Sequence, residues 1–405
     1  MAWRRVAGAV AACGLLAGLL AASLPAAALG FQPIDPVVSS NLVLPQGFRY
    51  QILMSEGDPT QNGTYLDRND LTVYVPLDGS DLGYLYVSHE LRRGGGTRLT
   101  LAREGEDWRV LQAVSVNFAL VGGTWNNCAG SLTPWGTILS AEEYEPRRVQ
   151  DIPEGMIRDV NRYGYIVEID PVTLHVKKHH AMGRFSHETA LVMPDRRTVY
   201  LTDDFRGGVL FKFVADRPED LSSGTLYALD ARGRRWIELR RDQAVLNEAR
   251  AWALEHGASP FDRPEDIEYS PLDGMLYMAI TGDNRKPAPD NYGRVVRINP
   301  VTLELTTFVK GGPETGLFNP DNLQFDSEGN LWIFEDKYGE FINERYGNNA
   351  VWVAAPDRQL RRFAQMPRGA EGTGPFFTPD GKTLFFSVQH PYAPWKDSVV
   401  AVRGL

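Results

Sequence analysis

Short apolar runs, many alternating with polar residues, recur along the chain between clusters of Gly, Pro, Asn and Asp. Alternation puts every second side chain on one face, which is the pattern of a strand, and the punctuating residues supply turn conformations. The run Tyr163-Gly164-Tyr165-Ile166-Val167-Glu168-Ile169-Asp170-Pro171-Val172-Thr173-Leu174 returns as Tyr292-Gly293-Arg294-Val295-Val296-Arg297-Ile298-Asn299-Pro300-Val301-Thr302-Leu303. Each predicts a strand, a tight Asp/Asn-Pro turn and the start of a return strand.

A second repeat has the form turn, strand, acid. It appears as Asp273-Gly274 through Asp283, as Gly329-Asn330 through Asp336, as Pro194-Asp195 through Asp204, and as Leu82-Gly83 through Glu90. A further copy, Asp380-Gly381 through His390, ends on histidine. The copies around Tyr277, Trp332 and Phe385 lie about one propeller blade apart. The gap from Tyr86 to Tyr200 is about twice that, and the strand-like residues 136–142 fall inside it. Helical pattern is scarce, with residues 241–256 the one good candidate, read as an insertion. The expectation is an all-β fold, a single β-propeller of five or six blades with a short helical insertion.

Equivalent strands in a propeller end at the same height around the central channel. The repeat therefore predicts a ring of carboxylates at one mouth, from Glu90, Asp203 or Asp204, Asp283, and Glu335 or Asp336. Such a crowd repels itself unless cations sit among the oxygens. Turn-capping is the alternative role for each acid taken singly.

Residues 1–30 carry Arg4 and Arg5, an apolar run and the small residues Ala26-Ala27-Ala28, the pattern of a cleaved export signal. The arginine pair permits the twin-arginine route beside the ordinary one. The apolar run continues past Cys13, which argues against lipidation there. Residues 31–405 then form one propeller domain with no membrane span, and a monomer is expected. The 42 basic and 51 acidic side chains become 40 and 51 without the signal, a net charge of −11. That balance argues against a nucleic-acid partner and suits cation binding. One cysteine remains, Cys128, so no internal disulfide forms even in an oxidising compartment.

Cys128 sits in Asn127-Cys128-Ala129-Gly130-Ser131-Leu132-Thr133-Pro134-Trp135-Gly136-Thr137, followed by Glu142-Glu143. A lone thiol near paired carboxylates suits metal ligation better than a disulfide. Further acidic motifs are Gly183-Arg184-Phe185-Ser186-His187-Glu188, Arg263-Pro264-Glu265-Asp266 and Phe318-Asn319-Pro320-Asp321-Asn322. Neither a Gly-x-Ser-x-Gly elbow nor a phosphate-binding glycine loop is present.

Taken in order, the cysteine segment, Gly-Arg-Phe-x-His-Glu, Arg-Pro-Glu-Asp and the late Glu371-Gly372-Thr373-Gly374-Pro375 running to Gln389-His390-Pro391 resemble the PhoX-type alkaline phosphatases. The resemblance covers most of residues 31–405. It implies a periplasmic or secreted β-propeller phosphomonoesterase acting on small-molecule phosphate esters with Fe3+ and Ca2+. Carried over by motif, Cys128 is the thiolate ligand, and Glu188 and Glu265 complete the iron pair. Glu90, Glu143 and Asp336, with Glu142, Asp204 and Glu335 behind them, are candidates for the remaining metals. Arg263 is expected at the substrate phosphate, and Lys337 and Arg184 are further candidates for it. The chain is short for the family and reads Ser88-His89-Glu90-Leu91-Arg92-Arg93 where an aromatic is expected after the Glu. Both departures bear on substrate preference. The residues alone leave two other readings open. One is a calcium-dependent lactonase-like hydrolase, which has no use for Cys128. The other is a non-catalytic propeller binding module.

Overall fold

The structure, a computed structural model, describes residues 30–283, 291–337 and 340–405. The expected export signal, up to residue 29, lies outside the described residues. Six antiparallel sheets follow one another as the blades of a propeller, which settles the expectation of five or six. Their innermost strands are Asn69–Asp78, Asn127–Leu132, His187–Val192, Pro264–Ser270, Pro320–Phe325 and Glu371–Phe377, which define blades 1 to 6. Each contacts the next, and the last returns to the first, so the inner strands close a ring about the channel. The second strands are Leu82–His89, Ile138–Glu142, Thr198–Asp203, Met275–Ile280, Leu331–Glu335 and Thr383–Gln389. These are the copies of the turn–strand–acid repeat, with the strand inside the long gap supplying blade 2.

Both faces of these second strands are covered, which is why several read as continuous apolar runs. In blade 4, Leu276, Met278 and Ile280 pack toward Tyr200 and Leu229 of blade 3. Tyr277 and Ala279, one residue out of phase, pack toward Ile333 and Trp352 of blade 5. The core is thus a set of wedges between blades, and alternation alone decides which wedge a side chain enters. Each fully buried aliphatic or aromatic contributes about 1.5–3 kcal/mol.

The circle closes with an N-terminal strand. Arg49–Ser55 pairs antiparallel with Ser398–Arg403 and becomes the outer strand of blade 6. The Asp/Asn-Pro repeats form matching turns, where Asp170 Oδ1 accepts from the Val172 and Thr173 amides and Asn299 Oδ1 from those of Val301 and Thr302. The helical insertion is present as Gln243–Leu246 and Ala249–Glu255, with Val245, Leu246, Ala249 and Ala253 on the wedge between blades 2 and 3. A helix at Glu340–Tyr346 was not expected. Among the described residues no helix is long and apolar enough to cross a membrane.

Candidate metal and phosphate site

The inner strands begin at the mouth with two shared distortions. In blades 1, 2, 4, 5 and 6 the residue two before the mouth-facing one has positive φ: Arg68 (50°), Asn126 (39°), Arg263 (59°), Asn319 (47°) and Gly369 (81°). Four of these carry side chains, so the chain accepts strain of about 1 kcal/mol or more at each to turn sharply into the strand. In blades 1 to 5 the pairing with the second strand then slips, between Asn69 and Thr72, Asn127 and Gly130, His187 and Ala190, Pro264 and Ile267, and Pro320 and Leu323. A bulge frees a residue from the ladder and re-aims its side chain. The freed residues are Asp70, Cys128, Glu188, Glu265 and Asp321. In blade 6 the slip comes later, after Thr373, and the strand offers its first residue, Glu371, opposite Gln389.

The second strands add a rim. In blades 1, 2, 3 and 5 each ends on a pair in which alternation sends the first side chain into the blade and the second toward the mouth, whereas in blade 6 the first member, Gln389, itself lines the cavity and donates to Asp70 Oδ2 at 3.0 Å. Glu90, Glu143 and Asp336 are the second members and line the central cavity of about 510 Å³ with the inner-strand residues. Four overlapping trios place their ligand atoms within 4.8 Å of one another: Asp70, Glu90 and Cys128; Cys128, Glu143 and Glu188; Glu188, Glu265 and Asp321; Asp321, Asp336 and Glu371. Cys128 Sγ lies 3.7 Å from Glu188 Oε1.

Several expected residues are placed elsewhere, for one reason. Glu142 Oε1 accepts from the Trp125 amide and Lys178 Nζ, and Oε2 from the Gly164 and Tyr165 amides, all at 2.9–3.0 Å. Glu335 repeats the arrangement with the amides of Phe318 and Ala350, the Trp352 indole and Lys337. Both are first members of their pairs and tie turns to their own blades, and neither belongs to the four trios. Asp203, also a first member, accepts from Arg250. Lys337 edges the cavity, but its ammonium is directed to Glu335 and to the Gly347 and Asn348 carbonyls, which occupies its three donors. Arg184 donates to the carbonyls of Pro146, Val160 and Tyr163 outside the mouth. Asp283 pairs with Arg206.

Arg263 does reach the cavity. Its Nε and Nη2 grip the two oxygens of Asp204 at 2.9 Å each, Glu265 is in contact, and Asp336 Oδ2 lies 3.8 Å from Nη1. Asp204 therefore sits behind the guanidinium and fixes its plane, and it also accepts from the Tyr144 hydroxyl at 3.1 Å.

Burial and mutual repulsion set the electrostatics. Burial, then Glu371, pushes Glu90 up to about 7. Burial, with neighbouring carboxylates behind it, holds Asp70, Glu143, Glu188 and Asp321 well above the usual range. Glu265 is raised by burial against the pull of Arg263. The Cys128 thiol is raised by burial and then by Asp70, Glu188, Glu143 and Glu90. Asp204 and Glu371 go the other way. Burial opposes them, but Arg263 and His390 respectively hold them low. His390 Nε2 donates to Glu371 Oε1 at 2.9 Å, and that carboxylate, against the effect of burial, raises the ring to about 10. Asp70 Oδ1 is buried without a hydrogen-bond partner. An orphaned oxygen, one thiol and a crowd of carboxylates in reach of each other fit a set of cations. The sulfur suits a transition metal, and the all-oxygen trios suit a hard ion such as calcium.

Asp70, Asp321, Glu371 and His390 were not picked from the sequence as site residues. The available signal was position: Asp321 lies in a motif shaped like Arg-Pro-Glu-Asp, and Glu371 opens the late glycine-rich motif.

A sequence profile of the family alkaline phosphatase PhoX matches residues 92–392. Among solved structures, Pseudomonas fluorescens PhoX in complex with vanadate, a transition state analogue, superposes with a TM-score of 0.77. It is 25% identical, over 92% of this chain and 98% of that chain. A protein described as a gluconolactonase gives a TM-score of 0.46 at 15% identity over 89% of this chain and 93% of that one. Trypanosoma rangeli sialidase in complex with sialic acid gives 0.45 at 9% identity over 89% and 59%. Neither of these last two bears on this chain's activity. No curated protein sequence matches the chain.

Proposed function

Since the chain belongs to the PhoX alkaline phosphatase family, a family of phosphatase propellers, we propose that it is an exported phosphomonoesterase working with iron and calcium. The convergence of Cys128 and eight carboxylates on one mouth, with Arg263 among them, is the observation that carries this reading. Cys128, Glu188 and Glu265 would hold iron. Glu90, Glu143, Asp336, Asp70, Asp321 and Glu371 would hold the remaining ions. Bound cations would neutralise charge on the phosphoryl group and acidify the attacking water.

The chain's own residues do the rest. Arg263, whose Nε and Nη2 are held by Asp204, would turn its Nη1 edge to a nonbridging phosphate oxygen. Asp204 pre-orients that edge, so little side-chain entropy is lost when phosphate arrives. Burial keeps the Cys128 proton in place until positive charge is near, which couples the thiolate to cation binding. His390, held by Glu371 and the Gly369 carbonyl, places a cationic ring at the rim. We read the enzyme as a monomer of the periplasm or exterior, acting on small-molecule phosphate esters. The pattern of residues 1–30 and the net negative charge support that reading.

The test uses protein purified untagged from its export route. Phosphate release from 4-nitrophenyl phosphate should require calcium and stop on chelation. Cys128→Ala should lose iron, by elemental analysis, and activity together while its circular dichroism is retained. A folded Cys128→Ala protein with full activity would overturn the reading.

A further inference from the structure

We propose that a groove beside the mouth, walled by Tyr144 and Phe205, is a leaving-group subsite that selects esters bearing a flat heteroaromatic ring, a nucleobase for instance. The proposal rests on the phosphatase reading and adds the class of ester to it.

The groove has a volume of about 620 Å³ and adjoins the central cavity, with Tyr144 belonging to both walls. Its two aromatic residues are set by the same strand ends that build the mouth. Tyr144 follows Glu143 in blade 2 and Phe205 follows Asp204 in blade 3. Tyr144 is pinned at three points. Its φ is +50°, its amide donates to Ser186 Oγ at 2.8 Å, and its hydroxyl donates to Asp204. That same Asp204 grips Arg263, so the tyrosine ring stands one carboxylate away from the guanidinium assigned to phosphate. The groove past Tyr144 is therefore a path by which an ester held there can send its alcohol portion outward.

The groove offers ring faces and a planar cation. Tyr144 is 47% exposed and Phe205 37%, which is unusual for aromatics beside an acidic mouth. The Arg147 guanidinium lies 5.0 Å from the Phe205 ring centre, with its side chain 62% exposed and Nη2 3.9 Å from Glu145 Oε1. Arg250 also approaches that ring, at 4.1 Å, but is committed to Asp203 and Glu145. Aromatic faces flanked by a planar cation form a stacking platform for a flat, electron-rich ring. A sugar or short alkyl alcohol would leave these faces in water. The neighbouring Arg148 is tied to Asp151.

Adenosine 5′-monophosphate and ribose 5-phosphate separate the ring from the chemistry. In both, water oxygen joins phosphorus, the same primary ester P–O bond breaks, and the alcohol leaves with a proton. Wild-type holoenzyme should show kcat/KM about tenfold higher for the nucleotide, the scale of one stacked ring. Phe205→Ala and the surface variant Arg147→Ala should each remove most of that preference, mainly through KM, and leave ribose 5-phosphate within about twofold of wild type. Equal kcat/KM on the two esters in wild type, or a preference intact in both variants, overturns the subsite while the phosphatase reading stands. No phosphate from either ester would remove the phosphatase reading and the subsite with it.

Discussion

Stripping metal from this protein should make it less stable as pH rises from 6.5 to 8. Five mouth carboxylates have folded-state pKa values raised by burial and mutual repulsion, Glu90 to about 7 and Asp70, Glu143, Glu188 and Asp321 well above their usual range. In the unfolded chain the same groups have lost their protons by pH 6.5. The folded state therefore binds more protons, and stability falls with rising pH. Each proton so retained costs about 1.4 kcal/mol per pH unit. One retained proton means about 2 kcal/mol over this window, and two mean about 4 kcal/mol. His89 and His187, kept neutral by burial at about 4 and 3, have the opposite slope. That slope is half spent at the unfolded histidine value of about 6.5 and dies out about a unit above it, so over this window the pair offsets less than about 1 kcal/mol. For a chain of this size the loss is a melting-point drop of roughly 2–5 °C. The measurement is a thermal melt of chelator-treated protein at several pH values, with the reloaded protein beside it. Reloading should abolish the slope and release protons to the buffer. A stripped protein whose melting point is flat or rises between pH 6.5 and 8 would refute the claim that these carboxylates crowd one buried mouth.

Arg263→Lys keeps the charge but loses the fork held by Asp204. We expect kcat/KM to fall about 100-fold with bound metal unchanged, read by steady-state kinetics and elemental analysis. Glu142→Gln leaves Lys178 buried without its carboxylate. It should cost about 3–5 kcal/mol in denaturant unfolding while kcat/KM per folded molecule stays within about twofold, whereas a metal ligand would lose activity first. Deleting residues 30–56 removes the outer strand of blade 6 and bares the edge Ser398–Arg403. Size-exclusion chromatography should show aggregates in place of the wild-type peak, and an unchanged peak would count against closure by that strand.

The propeller was legible because blades repeat. Tyr277, Trp332 and Phe385 occupy the same strand of successive blades, and period-two patterning with turn residues survives translation along the chain. The helical insertion was legible from its own period. Glu90 and Asp336 were legible as candidates because each ends a copy of the repeat, and Cys128 and Glu143 because a lone thiol precedes paired carboxylates.

Which member of each acidic pair faces the mouth was not legible. Glu142 and Glu143 are chemically the same, and only their alternation about a strand end, with backbone amides waiting on one side, sends the first to structure and the second to the cavity. Asp70, Asp321 and Glu371 escaped notice for a related reason, because bulges and left-handed turns that no single residue announces swing them inward. The carbonyls and the Glu335 carboxylate that Lys337 and Arg184 meet come from residues distant in sequence or across a strand end, which the chain alone does not announce. Composition and repetition along this chain were thus enough to specify its architecture and the stock of ligand atoms, both being local or periodic properties. The inventory of which atoms meet was decided by closure of the ring, which brings residues from every blade to one axis.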